Sequence, residues 1–270
     1  MKITKRLIVW VVVLGLTLAL SGVAYAITYG VPDENGHPYV GMATFYSESG
    51  EYMWRCTGTL IAPQVVLTAG HCTSGPAHAR VWFDPDLSQI NRPYPDCGPY
   101  SCVTGVPHPH PAYDGVSFPN TYDVGVIVLD EPVTGRGFGA LPELGVLDGL
   151  ATQRGQQDLV FRSVGYGVQS VKPGYQADRI RYTSTSLLVN LRSHLTDGYN
   201  LHTSNNPGEG HGTSGGSCFG DSGGPVFYPE DSNIVVGIVS FGMNSNCKGA
   251  DWSYRADTSI TQDFVSRFLP

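Results

Sequence analysis

The sequence predicts an all-β protein, on three observations. First, 34 glycines and 19 prolines make up nearly a fifth of the 270 residues, which favours turns over helices. Second, only 14 % of the residues are charged and 41 % are hydrophobic, a balance that excludes a disordered chain. Third, from Tyr39 onward, short apolar runs rich in Val, Ile and Tyr alternate with turn residues, which is typical of β-sandwiches and barrels.

Six runs are the clearest strands, and only the tail has a helical spacing. Runs 124–129 and 234–240 are apolar at consecutive positions, which predicts burial on both faces. Ile260, Phe264 and Phe268 stand four apart after a capping residue at 258 or 259, which predicts a C-terminal helix. The six predicted strands are 59–68, 80–83, 124–129, 159–164, 187–191 and 234–241.

The first 26 residues have the order of a secretory signal. Residues 1–6 carry three positive charges, residues 7–20 are an apolar run of fourteen, and small residues follow at Ala24 and Ala26. This order predicts cleavage after Ala26. An uncleaved membrane anchor is the alternative, but the run is shorter than the roughly 20 residues that span a bilayer.

Export changes the charge and the redox setting of the chain. Cleavage would remove three of the 16 basic residues and leave 244 residues with a net charge of −10. Such an acidic protein is not expected to bind nucleic acid through phosphates. Six cysteines in an oxidising compartment predict three disulfides among fifteen possible pairings. We expect a secreted monomer without membrane contact after cleavage, and without a cofactor or metal.

Three short segments carry residue types suited to nucleophilic catalysis. They are Thr68-Ala69-Gly70-His71-Cys72, the run 122–129 that begins Tyr122-Asp123, and Gly220-Asp221-Ser222-Gly223-Gly224-Pro225. A serine among glycines lies on a tight turn, where a substrate carbonyl can approach the backbone. Adjacent N–H groups of such a turn, here those of Gly220 and Ser222, can bind a developing oxyanion.

The other two segments supply a base and an acid. A serine hydroxyl needs a base, and the pKa of histidine suits that role near neutral pH, so His71 is the candidate. A carboxylate behind the imidazole fixes its tautomer and stabilises the imidazolium. Asp123, at the head of a buried run, is the candidate carboxylate. A plain turn residue is the other interpretation of Asp123.

These segments resemble the motifs of the chymotrypsin-like, or trypsin-family, serine endopeptidases. The family has T-A-[AG]-H-C, D-[IV]-[AG]-x-[IL]-x-L and G-D-S-G-G-P in this order, which separates it from other serine hydrolases. Segments 56–61, 110–113, 165–167 and 239–242 are similar to further family motifs, although Tyr166 and Phe241 stand where the family has tryptophan. The resemblance therefore covers nearly the whole mature chain.

The resemblance implies two six-stranded antiparallel Greek-key barrels and a short C-terminal helix. It implies a catalytic triad of His71, Asp123 and Ser222. The implied organisation is a signal peptide at 1–26, a first barrel at 27–132, a connection at 133–156, a second barrel at 157–255 and a helix at 256–270.

The resemblance also implies the cysteine pairs. Cys56 would bond to Cys72 beside the histidine, and Cys218 would bond to Cys247 beside the pocket. Cys97 and Cys102 remain as the third pair. A metal half-site is the alternative for these two, but no second pair of cysteines or histidines stands nearby at ligand spacing.

Activation in this family depends on a new N-terminal Ile or Val, whose ammonium inserts beside the acid that precedes the serine. That acid is Asp221 here. Ile27-Thr28-Tyr29-Gly30 resembles the family's I-V-G-G and follows directly on the predicted signal cleavage. We hypothesise that signal peptidase itself creates the active N-terminus at Ile27, without a propeptide.

The predicted specificity is for neutral, apolar residues before the cleaved bond (P1). Gly216 stands where trypsin-like members carry the pocket aspartate, and its counter-ion for Arg or Lys is therefore missing. Asp251 is the one acid nearby that would restore a basic preference if the loop is shifted. Val239 speaks against relatives specific for glutamate. The other predicted pocket residues are Ser217, Ser240, Phe241, Gly242 and Trp252, the last partly filling the slot.

The sequence therefore indicates a secreted serine endopeptidase acting on polypeptides, with protein inhibitors as further expected partners. Two other classes fit the same fold: a binding protein that has lost catalysis, and an esterase or other acyl hydrolase. The first usually lacks a triad member, and this chain has all three.

Overall fold

A computed structural model describes residues 27–115, 117–150, 159–172, 174–205 and 215–270. The predicted signal peptide at 1–26 lies outside these ranges, as do residues 151–158 in the predicted connection. Among the described helices, none has the length and apolar character needed to cross a membrane.

Six strands of the N-terminal half close into a barrel with the order β2-β3-β4-β7-β6-β5, all neighbours being antiparallel. Its interior is filled by Val, Ile, Leu, Ala and Phe side chains that alternate along the strands. The strands are β2 (Val40–Tyr46), β3 (Tyr52–Ala62), β4 (Val65–Thr68), β5 (His78–Trp82), β6 (Cys102–Pro109) and β7 (Gly125–Leu129).

The C-terminal half forms a second closed barrel with the order β8-β9-β10-β13-β12-β11, closed by the β11–β8 pairing. A short strand β1 (Val31–Pro32) pairs with β9, so the segment that precedes the first barrel lies on the second. The strands are β8 (Val160–Gly165), β9 (Tyr182–Asn190), β10 (Asn200–Asn205), β11 (Pro225–Phe227), β12 (Val235–Gly242) and β13 (Gly249–Arg255). The two-barrel prediction is confirmed.

The single strand expected at 59–68 is two strands. β3 ends at Ala62 and β4 begins at Val65, and Ala62 pairs with Val65 across the intervening Pro63-Gln64 turn. Proline offers no N–H to a ladder, so the chain reverses there.

Two short α-helices and a 3₁₀-helix (Val146–Leu150) complete the described structure. Helix α1 (Gly70–Thr73) carries His71, and helix α2 (Ser259–Val265) follows the last strand. Thr258 caps α2, because its side chain accepts a hydrogen bond from Thr261 N–H. Phe264 of α2 packs into the core of the first barrel, so the C-terminal helix bridges the two barrels.

A fully buried arginine joins the N-terminal segment to both barrels. Arg181 Nε donates to Asp33 Oδ2 at 2.8 Å, and Arg181 Nη1 donates to the carbonyl oxygens of Val40 at 3.0 Å and Phe83 at 3.1 Å. Because each of these groups would be costly to bury alone, the cluster holds the segment before β2 in one position.

Candidate active site

Strand pairing brings the candidate histidine and aspartate together. His71 follows β4 and Asp123 precedes β7, and these strands are antiparallel with Thr68 opposite Gly125. The end of one strand and the start of the other therefore lie at the same edge of the first barrel. Residues 52 apart in the chain become neighbours in this way.

The imidazole of His71 is held by Asp123 through several hydrogen bonds. His71 Nδ1 lies 2.9 Å from Asp123 Oδ2 and 3.1 Å from Oδ1, and the backbone N–H of His71 donates to Oδ1 at 2.8 Å. With an ionised carboxylate, Nδ1 must carry the hydrogen. The other ring nitrogen, Nε2, is then free to accept a proton.

The pKa values of this pair move in opposite directions. Burial opposes protonation of His71, but the charge of Asp123 and its hydrogen bond outweigh burial and raise the pKa of His71 above its usual 6.5. Burial by itself would raise the pKa of Asp123, but the charge and hydrogen bonds of His71 and the hydroxyl of Ser240 lower it. Asp123 is therefore ionised at neutral pH.

Ser240 is a member of this hydrogen-bonded group that the sequence analysis placed only in the pocket. Its Oγ donates to Asp123 Oδ2 at 2.5 Å, from strand β12 of the second barrel. Ser240 thus occupies the remaining side of the carboxylate. Its position in a motif-like Val239-Ser240-Phe241-Gly242 segment was the only signal in the sequence.

Ser222 lies in a tight turn before β11, where two glycines have left-handed backbone conformations. Gly220 has φ +98° and Gly223 has φ +79°, a region that L-residues with a side chain rarely adopt. A Cβ on Gly223 would lie 2.0 Å from Thr68 Oγ1. The turn therefore requires glycine both for conformation and for close packing against the first barrel.

Contacts across the barrel interface bring this turn to the histidine segment. Thr57 N–H donates to Ser222 O at 2.8 Å, and Thr57 Oγ1 donates to Gly220 O at 2.9 Å. The sulfur of Cys72, next to His71 in the chain, lies 3.7 Å from the same Ser222 oxygen. The Ser222 hydroxyl makes no hydrogen bond to His71 or to any other described residue. In free enzymes such contacts are often long and shorten when substrate binds.

Two N–H groups of the turn are left without partners inside the described chain. Asp221 N–H donates to Cys218 O, Gly223 N–H to Val239 O, and Gly224 N–H to Asp221 O. The N–H groups of Gly220 and Ser222 donate to no described residue. These two unused donors flank the serine, where they can bind a developing oxyanion.

Asp221 is a buried carboxylate beside this turn. It accepts hydrogen bonds from Cys218 N–H at 2.9 Å and Gly167 N–H at 2.7 Å. Burial raises its pKa to about 7, against the opposing effects of these hydrogen bonds and of the Arg55 charge. It forms no salt bridge within the described ranges. A cation arriving here would gain a desolvated partner.

The N-terminal segment lies beside the chain that leads to Asp221. Ile27 is fully buried and packs against Tyr182, and Thr28 forms a β-bridge with Gly216, five residues before Asp221. In this chain, which continues through Ala26, no hydrogen bond joins Ile27 to Asp221.

The serine turn opens into a cavity of about 240 Å³. Four of the residues proposed for the substrate pocket, Ser217, Ser240, Phe241 and Gly242, line this cavity, whereas Gly216 is not among its lining residues. Trp252 differs from its prediction and does not fill the slot. Its ring stacks between those of Phe241 and His202, at centroid distances of 5.4 and 4.2 Å. Successive side chains of a strand face opposite ways, so with Trp252 turned to these rings it is Asp251 that lines the cavity.

The six cysteines form the three expected disulfides, Cys56–Cys72, Cys97–Cys102 and Cys218–Cys247. The first ties the His71 helix to β3, and the last closes one wall of the cavity. Cys56, His71 and Cys72 have potential ligand atoms within 4.8 Å of one another. The two sulfurs are bonded to each other, so they cannot bind a metal as thiolates.

The chain is similar in sequence to known serine proteases over most of its length. The family model for trypsin matches residues 30–262. Trypsin of Saccharopolyspora erythraea is 32 % identical over 191 residues, which are 69 % of this chain and 75 % of that protein. Brachyurin of Leptuca pugilator is 29 % identical over 202 residues, which are 73 % and 79 %.

Solved structures agree at the level of the fold. HL collagenase superposes with a TM-score of 0.67 at 19 % identity, covering 89 % of this chain and 97 % of that one. Human heparin binding protein has a TM-score of 0.60 at 19 % identity, covering 89 % and 96 %. The match of the family model over most of the chain, together with the identity to the bacterial trypsin, means that this chain belongs to the trypsin family of serine proteases.

Proposed function

We propose that this protein is a secreted serine endopeptidase that cleaves polypeptides through an acyl-enzyme on Ser222. The observation that carries the proposal is the His71–Asp123 pair, hydrogen-bonded through Nδ1, beside a serine turn with two unused N–H donors. His71 is thereby prepared to accept a proton at Nε2. The three disulfides support export, since such bonds persist in oxidising compartments.

The proposed reaction proceeds in two halves. His71 Nε2 takes the proton from Ser222 Oγ as the oxygen bonds to the substrate carbonyl carbon, and the N–H groups of Gly220 and Ser222 bind the oxyanion. Collapse breaks the C–N bond, and His71 returns the proton to the leaving amine. Water then attacks the acyl-enzyme by the same proton path and releases the second product.

The apolar part of the cavity wall supports acceptance of neutral, apolar P1 side chains. Val239, Phe241 and the Cys218–Cys247 disulfide form this part of the lining. Apolar side chains that enter such a cavity lose contact with water, which favours binding.

Labelling of the serine tests the catalytic proposal directly. A fluorophosphonate added to the secreted protein is expected to modify Ser222 alone, because only that hydroxyl has a base and an oxyanion site beside it. Mass spectrometry of the digested protein locates the adduct, and Ser266, exposed on the segment after α2, serves as an internal control. An unmodified Ser222 in the folded protein would favour the alternative suggested by the heparin-binding structural neighbour, a binding protein without catalysis. Comparison of peptide and ester turnover separates an endopeptidase from an esterase.

We further propose that signal cleavage after Ala26 creates the activating N-terminus. The new ammonium of Ile27 would move to Asp221, whose buried carboxylate has no salt-bridge partner within the described ranges. The short path from Ile27 through the Thr28–Gly216 bridge supports this assignment.

N-terminal sequencing of the secreted protein is expected to begin at Ile27. One extra residue ahead of Ile27 should lower kcat/KM at least about 100-fold, since an uncompensated buried charge costs about 3 kcal/mol or more. The same residue added after Pro270 is the matched control and should leave kcat/KM unchanged. A different natural start, or full activity of the N-terminally extended form, contradicts the proposal.

A further inference from the structure

We propose that protonation of Asp251 switches the P1 preference of this pocket, from cationic side chains when Asp251 is ionised to neutral apolar side chains when it is protonated. This inference rests on the proposed function for its meaning in catalysis. The ligand selectivity of the pocket can nevertheless be measured without catalysis.

Asp251 lies in the wall of the cavity. It lines the cavity from β13, opposite β12. A Cβ placed on Gly216 would lie 2.6 Å from Asp251 Oδ2. The absence of a side chain at Gly216 therefore makes room for a carboxylate that comes from another strand. The pocket has an acid in spite of the glycine.

The hydrogen bonds to the Asp251 carboxylate come from uncharged donors. Oδ2 accepts from Ser217 N–H at 2.6 Å, and Oδ1 accepts from Asn205 Nδ2 at 2.8 Å. Both donors fix the carboxylate in place, but neither carries a positive charge. Each carboxylate oxygen has a further lone pair that a guanidinium or ammonium can use.

No cationic side chain in the described part of the chain pairs with Asp251. Asp251 is 6 % exposed and forms no salt bridge with any described residue. A buried carboxylate without a positive partner either takes up a proton or binds a cationic ligand. Burial raises its pKa to about 6, against the hydrogen bonds from Asn205 and Ser217. Both protonation states are thus accessible in mildly acidic to neutral solution.

The charged groups around Asp251 leave it unneutralised. Asp221, behind the segment 216–218, is a second acid, and the charge of Asp251 adds to the raised pKa of Asp221. Lys248 precedes β13 and also lines the cavity, but its ammonium lies over the ring of Tyr29, 5.5 Å from the centroid, and forms no salt bridge with Asp251. His202 on β10 stacks on Trp252, and burial lowers its pKa. Strand β12 contributes four uncharged residues to the cavity, Val239, Ser240, Phe241 and Gly242.

Asn205 connects the pocket acid to the N-terminal segment. Its Oδ1 accepts a hydrogen bond from Thr28 Oγ1 at 2.8 Å, and its Nδ2 also donates to Ser217 O at 2.8 Å. Asn205 is almost fully buried, so these contacts hold one rotamer. The Asn205 side chain therefore joins the pocket acid to the docked segment around Thr28.

Ligand binding to the secreted Ser222→Ala protein tests the inference without catalysis. Benzamidinium, which stays protonated across the range, is expected to bind about tenfold more tightly at pH 8 than at pH 5 by calorimetry. A group with a pKa near 6 is about one-tenth ionised at pH 5 and almost fully ionised at pH 8. Neutral benzamide should bind with nearly equal affinity at both values. Equal benzamidinium affinity at the two pH values would overturn the inference.

The Asp251→Asn variant assigns the effect to this carboxylate. In the Ser222→Ala background it should lose the pH dependence of benzamidinium binding and bind benzamide normally. Asp263→Asn, on the exposed side of α2, removes the same charge elsewhere and should leave both ligands unaffected. A pH dependence that survives Asp251→Asn would assign the switch to another group and refute the proposal. Normal benzamide binding reports that the variant is folded.

Turnover of two peptides that differ only in having Arg or Leu at P1 tests the same switch in catalysis. The ratio of their kcat/KM values cancels the titration of His71, which both substrates share. That ratio should fall about tenfold from pH 8 to pH 5 in the natural enzyme and stay flat in Asp251→Asn. If Ser222 is labelled but the ratio of kcat/KM values does not change with pH in the natural enzyme, the switch is refuted and the catalytic proposal stands. If Ser222 is not labelled but benzamidinium binding depends on pH, the catalytic proposal is refuted and the switch stands.

Discussion

Ser222→Ala is expected to lower kcat by roughly 10⁶-fold, the loss found when the serine of such a triad is removed. The acyl-enzyme cannot form without the hydroxyl, and the His71–Asp123 pair then has no proton to accept. Activity on peptide and ester substrates should fall together. The measurement is turnover of a chromogenic peptide and of its ester, under conditions where contaminating protease is excluded by affinity purification.

The fold should tolerate this change. The Ser222 hydroxyl makes no hydrogen bond with a described residue, so its removal leaves no buried group unsatisfied, and the thermal midpoint should stay within about 2 °C. Ser266→Ala makes the same chemical change on an exposed site and should retain full activity. Undiminished cleavage by Ser222→Ala would place the nucleophile elsewhere and defeat the proposed mechanism.

Asp123→Asn is expected to lower kcat/KM by about 10⁴-fold without unfolding the protein. The backbone N–H of His71 donates to Oδ1, which favours the amide oxygen at that position. The amide NH₂ would then replace Oδ2 and face His71 Nδ1. That arrangement forces the ring hydrogen onto Nε2, so Nε2 cannot accept the proton of Ser222.

Ser240→Ala is the matched control for this variant. It removes one hydrogen bond to the same carboxylate but leaves the tautomer of His71 intact. We expect a loss of about tenfold, as for a single bond to a charged group. Equal losses in the two variants would mean that Asp123 acts only as a structural anchor.

The pH dependence of kcat/KM distinguishes an electrostatic role of Asp123 from a purely structural one. The free enzyme is active when His71 is neutral, so kcat/KM should rise with pH as His71 loses its proton. Because Asp123 raises the pKa of His71, the midpoint in the natural enzyme should lie above 6.5. Loss of the Asp123 charge should shift the residual activity of Asp123→Asn to a lower midpoint. An unchanged midpoint would contradict the assigned electrostatic coupling.

Local motifs were sufficient to propose which residues form the candidate site. The serine turn needs glycines at Gly220 and Gly223 because their backbone is left-handed, and such a requirement is visible in a short stretch of sequence. The all-β class was likewise predictable, since apolar runs and turn residues are local features. The ends of individual strands were harder to predict, as the chain reversal at Pro63-Gln64 shows.

Some elements lacked a sequence signal because tertiary contacts define them. Strand β10 (Asn200–Asn205) is largely polar, and it is buried because its neighbours β9 and β13 satisfy its backbone. The Asn205 side chain has three partners from three separate segments. A pattern of hydrophobic residues along the chain cannot indicate such a strand.

The candidate pocket separates most clearly what the sequence determined from what the tertiary structure determined. The sequence by itself identified the His71, Asp123 and Ser222 candidates, the oxyanion N–H groups and the glycine at 216, because each depends on residues within a short motif. The tertiary structure decided that Ser240 supports Asp123, that Trp252 stacks outside the cavity and that Asp251 faces into it. The physical reason is that the direction of a side chain in a closed barrel depends on strand register. A shift of one residue exchanges the inside and outside faces.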